Sequence, residues 1–335
     1  MNAEVTLERP IATRLDPSQA EGNTRSNFVF ATNLSGTIVW NSEQLKTQLS
    51  DLYEVAKEKT WNPSKDIDWR SCSRRDQYPV AGENNPLQGF DEFESLAESD
   101  KKRVVWWQHS IEISEILHGE QAALIIAAQL VNCLPTVEGK LLASSQVNDE
   151  ARHVEFFSRY LRDVAGKIHA PSVELASLIE RTVQDPRWDV KFVVCQLLIE
   201  SLAMSRFQEI KQSTEVPLLR YAIEKIAKDE ARHVRFGTAI LKDSLQSLPA
   251  EEQSVRSEFV LDSLLALANS QNIYTRIARK LGWNVAALRC HLRTYRLKRP
   301  ELTRSRLRIL MLNLDAVGLL TPKTRSRIAE IDPCV

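Results

Sequence analysis

The sequence predicts an all-α protein built around a helical bundle, and three observations carry that prediction. Glycine is scarce, 10 in 335 residues, which is less than half of a usual share of about 7%. Sandwiches, barrels and doubly wound sheets turn tightly and often, and so need more of it. Prolines fall at wide intervals from Pro135 onward, leaving stretches long enough for helices of many turns. Inside two of these stretches one six-residue segment recurs.

Taken in order, residues 1 to about 45 are polar and aperiodic and read as an extended arm. Residues 46–60 read as a short amphipathic helix. The stretch 61–95 reads as irregular chain packing Trp61, Trp69, Tyr78, Phe90 and Phe93 onto the main body. Long helices begin at Ser99. The first runs to Val131, before Pro135, and the second spans 137–167, stopping at Ala170-Pro171. Proline disfavours helical backbone at the residue before it. A helix over 172–184 follows, then Asp185-Pro186, read as an N-cap with proline at the first position. That start belongs to a helix over 187–212, and the next covers 216–246. The last 85 residues hold two to four helices, broken near Gly282, Pro300 and Gly318. The chain thus divides into an arm and aromatic-rich segment (1–98), a bundle (99–246) and a helical extension (247–335).

Composition excludes several classes. Lys+Arg and Asp+Glu both number 44, so the net charge is zero, and 43% of residues are hydrophobic. The longest apolar run, Ala122 to Ala128, is far short of the roughly 18 to 20 residues that span a bilayer. The start lacks a basic and then apolar leader, so no secretory signal is expected. Five cysteines without CxxC pairs argue against a disulfide framework and for a reducing cytoplasm. GxGxxG, GxxxxGK[ST] and HExxH are all absent.

The chemistry sits in the repeat. Asp149-Glu150-Ala151-Arg152-His153-Val154 recurs as Asp229-Glu230-Ala231-Arg232-His233-Val234, 80 residues on, in a chain with six histidines. Each copy contains Glu-x-x-His, and residues at i and i+3 share one helical face. Thirty residues before each glutamate stand Glu120 and Glu200, both interrupting apolar stretches where an unpaired carboxylate is costly to bury. Four helices that each donate inward in the order Glu, Glu-x-x-His, Glu, Glu-x-x-His build the dinuclear site of ferritin-like bundles. Carboxylates and imidazoles suit iron or manganese, and no thiolate favours zinc or copper. Four negative charges roughly balance two divalent cations. Asp149 and Asp229 are the candidates to orient the histidines, with Arg152 and Arg232 holding the aspartates.

With these residues the chain resembles the ferritin-like di-iron carboxylate oxidases and oxygenases over about Ser99 to Gln246. That group includes monooxygenase hydroxylases, ribonucleotide reductase small subunits, acyl-carrier-protein desaturases and p-aminobenzoate N-oxygenase. The resemblance implies Glu120, Glu150 and His153 at one metal and Glu200, Glu230 and His233 at the other, with bridging glutamates. It implies two iron ions, with manganese or a mixed Mn/Fe pair as variants, and O2 as co-substrate. The implied reaction is oxidation of a small, largely apolar metabolite at carbon or nitrogen. Departures narrow the kinship. Phe157 stands where most ribonucleotide reductase subunits carry a radical tyrosine. Ile226 replaces the seventh ligand of the N-oxygenases, a histidine. Ala203 and Met204 occupy the place of the hydroxylase threonine. Metal storage or redox sensing, and a radical-generating subunit, are the alternatives, although storage subunits are about half this length.

Other features have plainer readings. His109, His118, His169 and His291 read as packing or surface residues, and Trp106-Trp107 as core. Ala123, Leu124, Ala127, Val154, Phe157, Ala203, Phe207, Val234 and Gly237 suit either a substrate pocket or close helix packing. Between Arg276 and Arg308 lie eleven Lys or Arg and one acid, Glu301. The first reading is a solvated face paired with acidic helices. The sharper reading is a docking surface for an acidic electron donor, such as a ferredoxin or reductase, or for a carrier protein. Nucleic acid ranks lower, because nothing else in the sequence suggests a recognition module. A homodimer and a small-molecule substrate complete the expected partners.

Overall fold

The computed structural model describes residues 30–32, 34–40, 48–71, 75–269 and 273–331. Most of the arm expected over 1–45 lies outside the described residues. Among the described residues no strand occurs, only an isolated bridge between Val80 and Thr214.

Helix α1 (Gln48–Glu58) and the short α2 (Pro63–Asp66) and α3 (Asp91–Glu94) precede the bundle. The expected irregular segment is therefore interrupted by α2, α3 and a 3-10 turn at Gly82–Asn84. α4 (Glu98–Cys133) has 36 residues and rises about 54 Å. α5 (Val137–Tyr160) starts at Thr136, whose hydroxyl accepts from the Gly139 N–H, and runs into a π-helical turn, Leu161–Ala165, closed by Gly166 at φ 94°. α6 (Val173–Gln184) is capped by Ser172.

The next segment corrects the sequence reading. Asp185 does not cap the following helix, because Arg187 occupies that place before α7 (Trp188–Phe192). The Asp185 carboxylate instead accepts from the Arg187 backbone N–H at 2.8 Å and from its guanidinium. The single helix expected over 187–212 is α7, a seven-residue π-helical stretch Val193–Ile199, and α8 (Glu200–Ser213). α9 (Pro217–Gln246) carries proline at its first turn. Among the described residues five helices follow rather than two to four: α10 (Ala250–Asn269), α11 (Ile273–Leu281), α12 (Val285–Leu297), α13 (Pro300–Ala316) and α14 (Pro322–Ile331). α10 and α11, bounded by Asn269 and Ile273, divide a stretch that the sequence reading leaves unbroken. Gly282 and Gly318 do mark breaks, at φ 71° and 79°.

One apolar block joins the start of α4 to α11 and α12, and two more flank the middle of the bundle. One joins Ala123 and Ile126, Leu142 and Ala143, Phe192–Leu198, and Phe236 and Leu241 with Leu261 of α10 and Leu314 of α13. The other joins Ile113 and Leu117, Phe156 and Phe157, Phe207 and Ile210, and Ile223 and Ile226. On each of the four long runs the predicted donors fall between the blocks. A band of carboxylates and imidazoles is thereby sealed on both sides by hydrocarbon.

Candidate metal centre

Glu120, Glu150, His153, Glu200, Glu230 and His233 are all brought together, and each is at most 5% exposed. Their donor atoms form two overlapping groups of four, each group within 4.8 Å: Glu120, Glu150, His153 and Glu230, and Glu150, Glu200, Glu230 and His233. Glu150 and Glu230 belong to both. His153 Nδ1 lies 3.1 Å from Glu120, 3.2 Å from Glu150 and 3.1 Å from Glu230. His233 Nδ1 lies 3.2 Å from Glu150, 3.1 Å from Glu230 and 3.8 Å from Glu200. Both rings therefore turn Nδ1 to the centre.

The outward nitrogens meet the aspartates crosswise. His153 Nε2 is 3.3 Å from Asp229 Oδ2, and His233 Nε2 is 3.0 Å from Asp149 Oδ2. Each aspartate thus orients the histidine of the opposite helix. Arg152 bonds Asp149 and lies 3.5 Å from Asp229, while Arg232 donates to Asp149 at 2.5 Å and to Asp229 at 2.9 Å. The four residues close a buried ring between α5 and α9.

Three participants escaped the sequence reading. The Trp61 indole N–H donates to Asp229 at 2.8 Å, and its ring stacks on His153 at 6.3 Å. Trp61 was legible only as one of several aromatics ahead of the bundle. Gln146 donates to Glu150 at 3.1 Å and to Glu200 at 2.8 Å, and accepts from Gln196 at 3.0 Å. Its place one turn before Glu150 was a usable signal. Cys195 Sγ lies 3.7 Å from Glu200, placed there by the π-helical stretch.

The electrostatics call for positive charge. Burial holds the Glu120 and Glu200 carboxyls well above the usual carboxylate range. Burial alone would lower the histidines, yet Glu120 beside His153 and Glu150 beside His233 raise both well above the ordinary imidazole value. In this band protons take up the charge that four carboxylates demand. With those protons removed, the four glutamates and two aspartates would carry six negative charges against two from Arg152 and Arg232, a deficit that two divalent cations would fill. Glu200 Oε2 is buried with no hydrogen-bond partner, as suits an oxygen held for an ion. The donor set fits a dinuclear centre with hard-to-borderline ligands.

The remaining histidines serve packing: His109 Nε2 is 2.7 Å from the Tyr160 hydroxyl, and His118 Nε2 is 2.7 Å from the His169 carbonyl. The Trp106 indole donates to the Gln77 carbonyl. Of the residues that suited either pocket or packing, Ala123, Phe157 and Phe207 sit in the apolar blocks. Phe157 stacks on Phe207 at 6.3 Å. A Cβ on Gly237 would fall 2.6 Å from Gln196 Cβ, so that site is close helix packing.

Comparison with known proteins agrees with this geometry. The sequence profile of the p-aminobenzoate N-oxygenase AurF family matches residues 42–282. Among solved structures the fold is similar to an R2-like ligand-binding oxidase with an aerobically reconstituted Mn/Fe cofactor, at 19% identity and TM-score 0.52, covering 82% of this chain and 94% of that one. A tyrosine-to-phenylalanine variant of the same oxidase, anaerobically reconstituted with Mn/Fe, gives 19% identity, TM-score 0.52, and coverage of 82% and 95%. At this identity the likeness shows the fold. No curated protein matches the chain. No helix among the described residues is long and apolar enough to cross a membrane.

Proposed function

The chain belongs to the p-aminobenzoate N-oxygenase AurF family and is an oxidoreductase, and from that premise we propose a non-haem di-metal oxygenase or oxidase acting on a small, largely apolar metabolite at a C–H or N–H bond. One observation carries this reading: two groups of four buried donors share Glu150 and Glu230. Glu120 and His153 would complete one ion's ligands, Glu200 and His233 the other's, with the shared glutamates between them. Iron is the metal proposed, with manganese in one position as the variant that the similar oxidase carries. When bound, the ions supply the electrons that activate O2.

The chain's own residues position and insulate. Asp149 and Asp229 fix the imidazole rings and keep Nδ1 turned inward. Gln146 ties Glu150 to Glu200, and the two apolar blocks keep water from the band. The reading does not extend to p-aminobenzoate as the substrate. Where the N-oxygenases carry a seventh ligand, Ile226 is fully buried in the apolar block. The test is anaerobic loading with Fe(II) and then a pulse of 18O2. Fast O2 uptake in step with chain concentration, with 18O in an oxidised small molecule, is expected. Slow uptake with growth of a mineral core would mean storage instead.

A further inference from the structure

The basic stretch after the bundle has a geometry that its sequence did not disclose. From Ile273 to Arg299 the chain carries eight Lys or Arg and no Asp or Glu. It folds as two helices, α11 of nine residues and α12 of thirteen, joined by only Gly282-Trp283-Asn284. Gly282, at φ 71°, is left-handed and ends α11. The Trp283 N–H then donates back to the Ala278 carbonyl at 2.8 Å, the six-to-one bond of a Schellman stop. Asn284 starts α12, its Oδ1 accepting from the Ala286 and Ala287 N–H groups at 3.0 and 3.1 Å. Both ends of the turn are thus fixed by hydrogen bonds.

The pair has an inner and an outer side. Ile277 and Ala278 of α11 and Leu288 and Leu292 of α12 pack with Phe90 and Val105. Two α11 cations have partners on the bundle: Arg276 lies 3.9 Å from Glu115, and Lys280, though exposed, sits over the Trp107 ring. Two cations of α12 face away. Arg289 and Arg293, one turn apart, are exposed and make no ion pair among the described residues, and Lys298 is exposed beyond them. The first turn of α12 is exposed as well and presents Ala286 and Ala287, with no bulk and no charge.

We propose that α11 and α12 form a helix-turn-helix that binds double-stranded DNA, with α12 entering the major groove. Two short helices across a three- or four-residue, glycine-containing turn are the form of this motif. Its second helix turns its N-terminal residues to the base edges. Ala286 and Ala287 let that end approach closely, and its capped N-terminus carries the positive end of the helix dipole. Arg289 and Arg293 then reach phosphates or guanine edges along the groove. An acidic protein would satisfy the charges, but it gives no role to a fixed turn and a bare first turn. On sequence alone nucleic acid ranks below an acidic protein partner. The turn reverses that order.

The test is fluorescence anisotropy of the full chain with a labelled mixed-sequence duplex of about 30 base pairs, roughly three helical turns. The duplex is expected to bind more tightly than the single strand of the same length, with affinity falling steeply as salt rises. Arg289→Glu with Arg293→Glu should lower duplex affinity at least tenfold and flatten the salt slope by about one for each phosphate that is no longer neutralised. Ala287→Trp, which leaves charge unchanged, should lower duplex affinity by blocking the groove. Unchanged metal content and helical melting establish that the variants are folded. Should a variant fail to fold, duplex against single strand on the parent chain still decides. Equal binding to duplex, single strand and polyglutamate would mark a general docking surface for acidic partners and overturn the proposal. So would affinity indifferent to the double reversal.

Discussion

Glu150 and His153 on α5 and Glu230 and His233 on α9 come from one repeated segment, and part of what surrounds them is interchangeable. Asp149 and Asp229 cross over to each other's histidine, and Arg152 and Arg232 each reach both aspartates. Beyond that ring the two halves diverge at positions that the repeat pairs, 80 residues apart. Gln146 corresponds to Ile226, Phe157 to Gly237, and Ala127 to Phe207. One half offers an amide to Glu150 and Glu200 where the other offers a buried isoleucine. One side of the band is closed by the stacked Phe157 and Phe207. At the corresponding positions on the other side stand Ala127 and Gly237, and Gln196 fills the room that Gly237 leaves. Trp61 donates to Asp229 and stacks on His153, on one side of the band, and a π-helical stretch precedes Glu200 but not Glu120. A repeated donor set therefore does not make two equivalent sites. What surrounds the donors makes them different.

The largest way to break the comparison is at the shared ligands. Glu230→Ala should take metal content from about two ions per chain to nearly none, while Glu200→Ala should leave about one, as expected of a carboxylate-bridged pair. Metal analysis of purified protein separates the cases. Full occupancy in Glu230→Ala would end the ligand assignment.

The crossed aspartates come next. Asp229→Ala should weaken the ion on the His153 side by about 10- to 100-fold, and Asp149→Ala the ion on the His233 side by as much. Titration with Co(II), read by its absorption bands, would show which site softens. The same ion affected by both variants would refute the crossing. Trp61→Phe removes only the indole donor to Asp229, so a smaller loss confined to the His153 side is expected.

In one respect the halves should behave alike. Glu120 and Glu200, held up by burial, and His153 and His233, held up by carboxylates that outweigh burial, all bind protons more tightly in the folded metal-free chain. The unfolded chain then carries fewer protons, and stability falls as pH rises. The loss begins above about 4.3 for the carboxyls and about 6.5 for the imidazoles, their ordinary values. Melting of the chelated protein should therefore drop between about pH 5 and 8, with the metal-loaded protein nearly flat, because the ions displace those protons. Calorimetry in two buffers should detect their release. A chelated melt independent of pH would refute it.

The smallest effect sharpens the packing difference. Gly237→Ala places a methyl against Gln196 and should cost about 1–3 kcal/mol. Gly119→Ala, where the nearest atom to a new Cβ is Ile199 Cγ2 at 4.0 Å, should instead gain about 0.5–1 kcal/mol from helix propensity. Denaturant unfolding measures both. Equal effects would mean that the two helices are equally loose.

The sequence by itself determined the all-helical class and singled out the six candidate donors that the fold brings together. Helical periodicity is local, so Glu-x-x-His lies on one face wherever the helix goes, and the 80-residue repeat marks the donor pattern twice. Gln146 was legible to the same degree, one turn before Glu150, but its bond to Glu200 on another helix was not. Which helices face each other decided the rest. The crossing of Asp149 to His233 and Asp229 to His153 depends on how α5 meets α9. The bond from Trp61 joins residues 168 positions apart, with no local pattern to announce it. The π-helical stretch Val193–Ile199 is apolar and reads like any buried helix, because its extra residue per turn leaves no compositional mark. Asp185 and Pro186 read as a helix start, and the tertiary structure gave that carboxylate to Arg187 instead. Beyond the bundle, the charge of 276–308 and the break at Gly282 were both visible in the sequence. Which cations turned inward to Glu115 and Trp107 and which were left on the open face of α12 was decided only when Leu288 and Leu292 found their place against Phe90 and Val105. Burial of a few side chains fixes the outward direction of all the others on a helix.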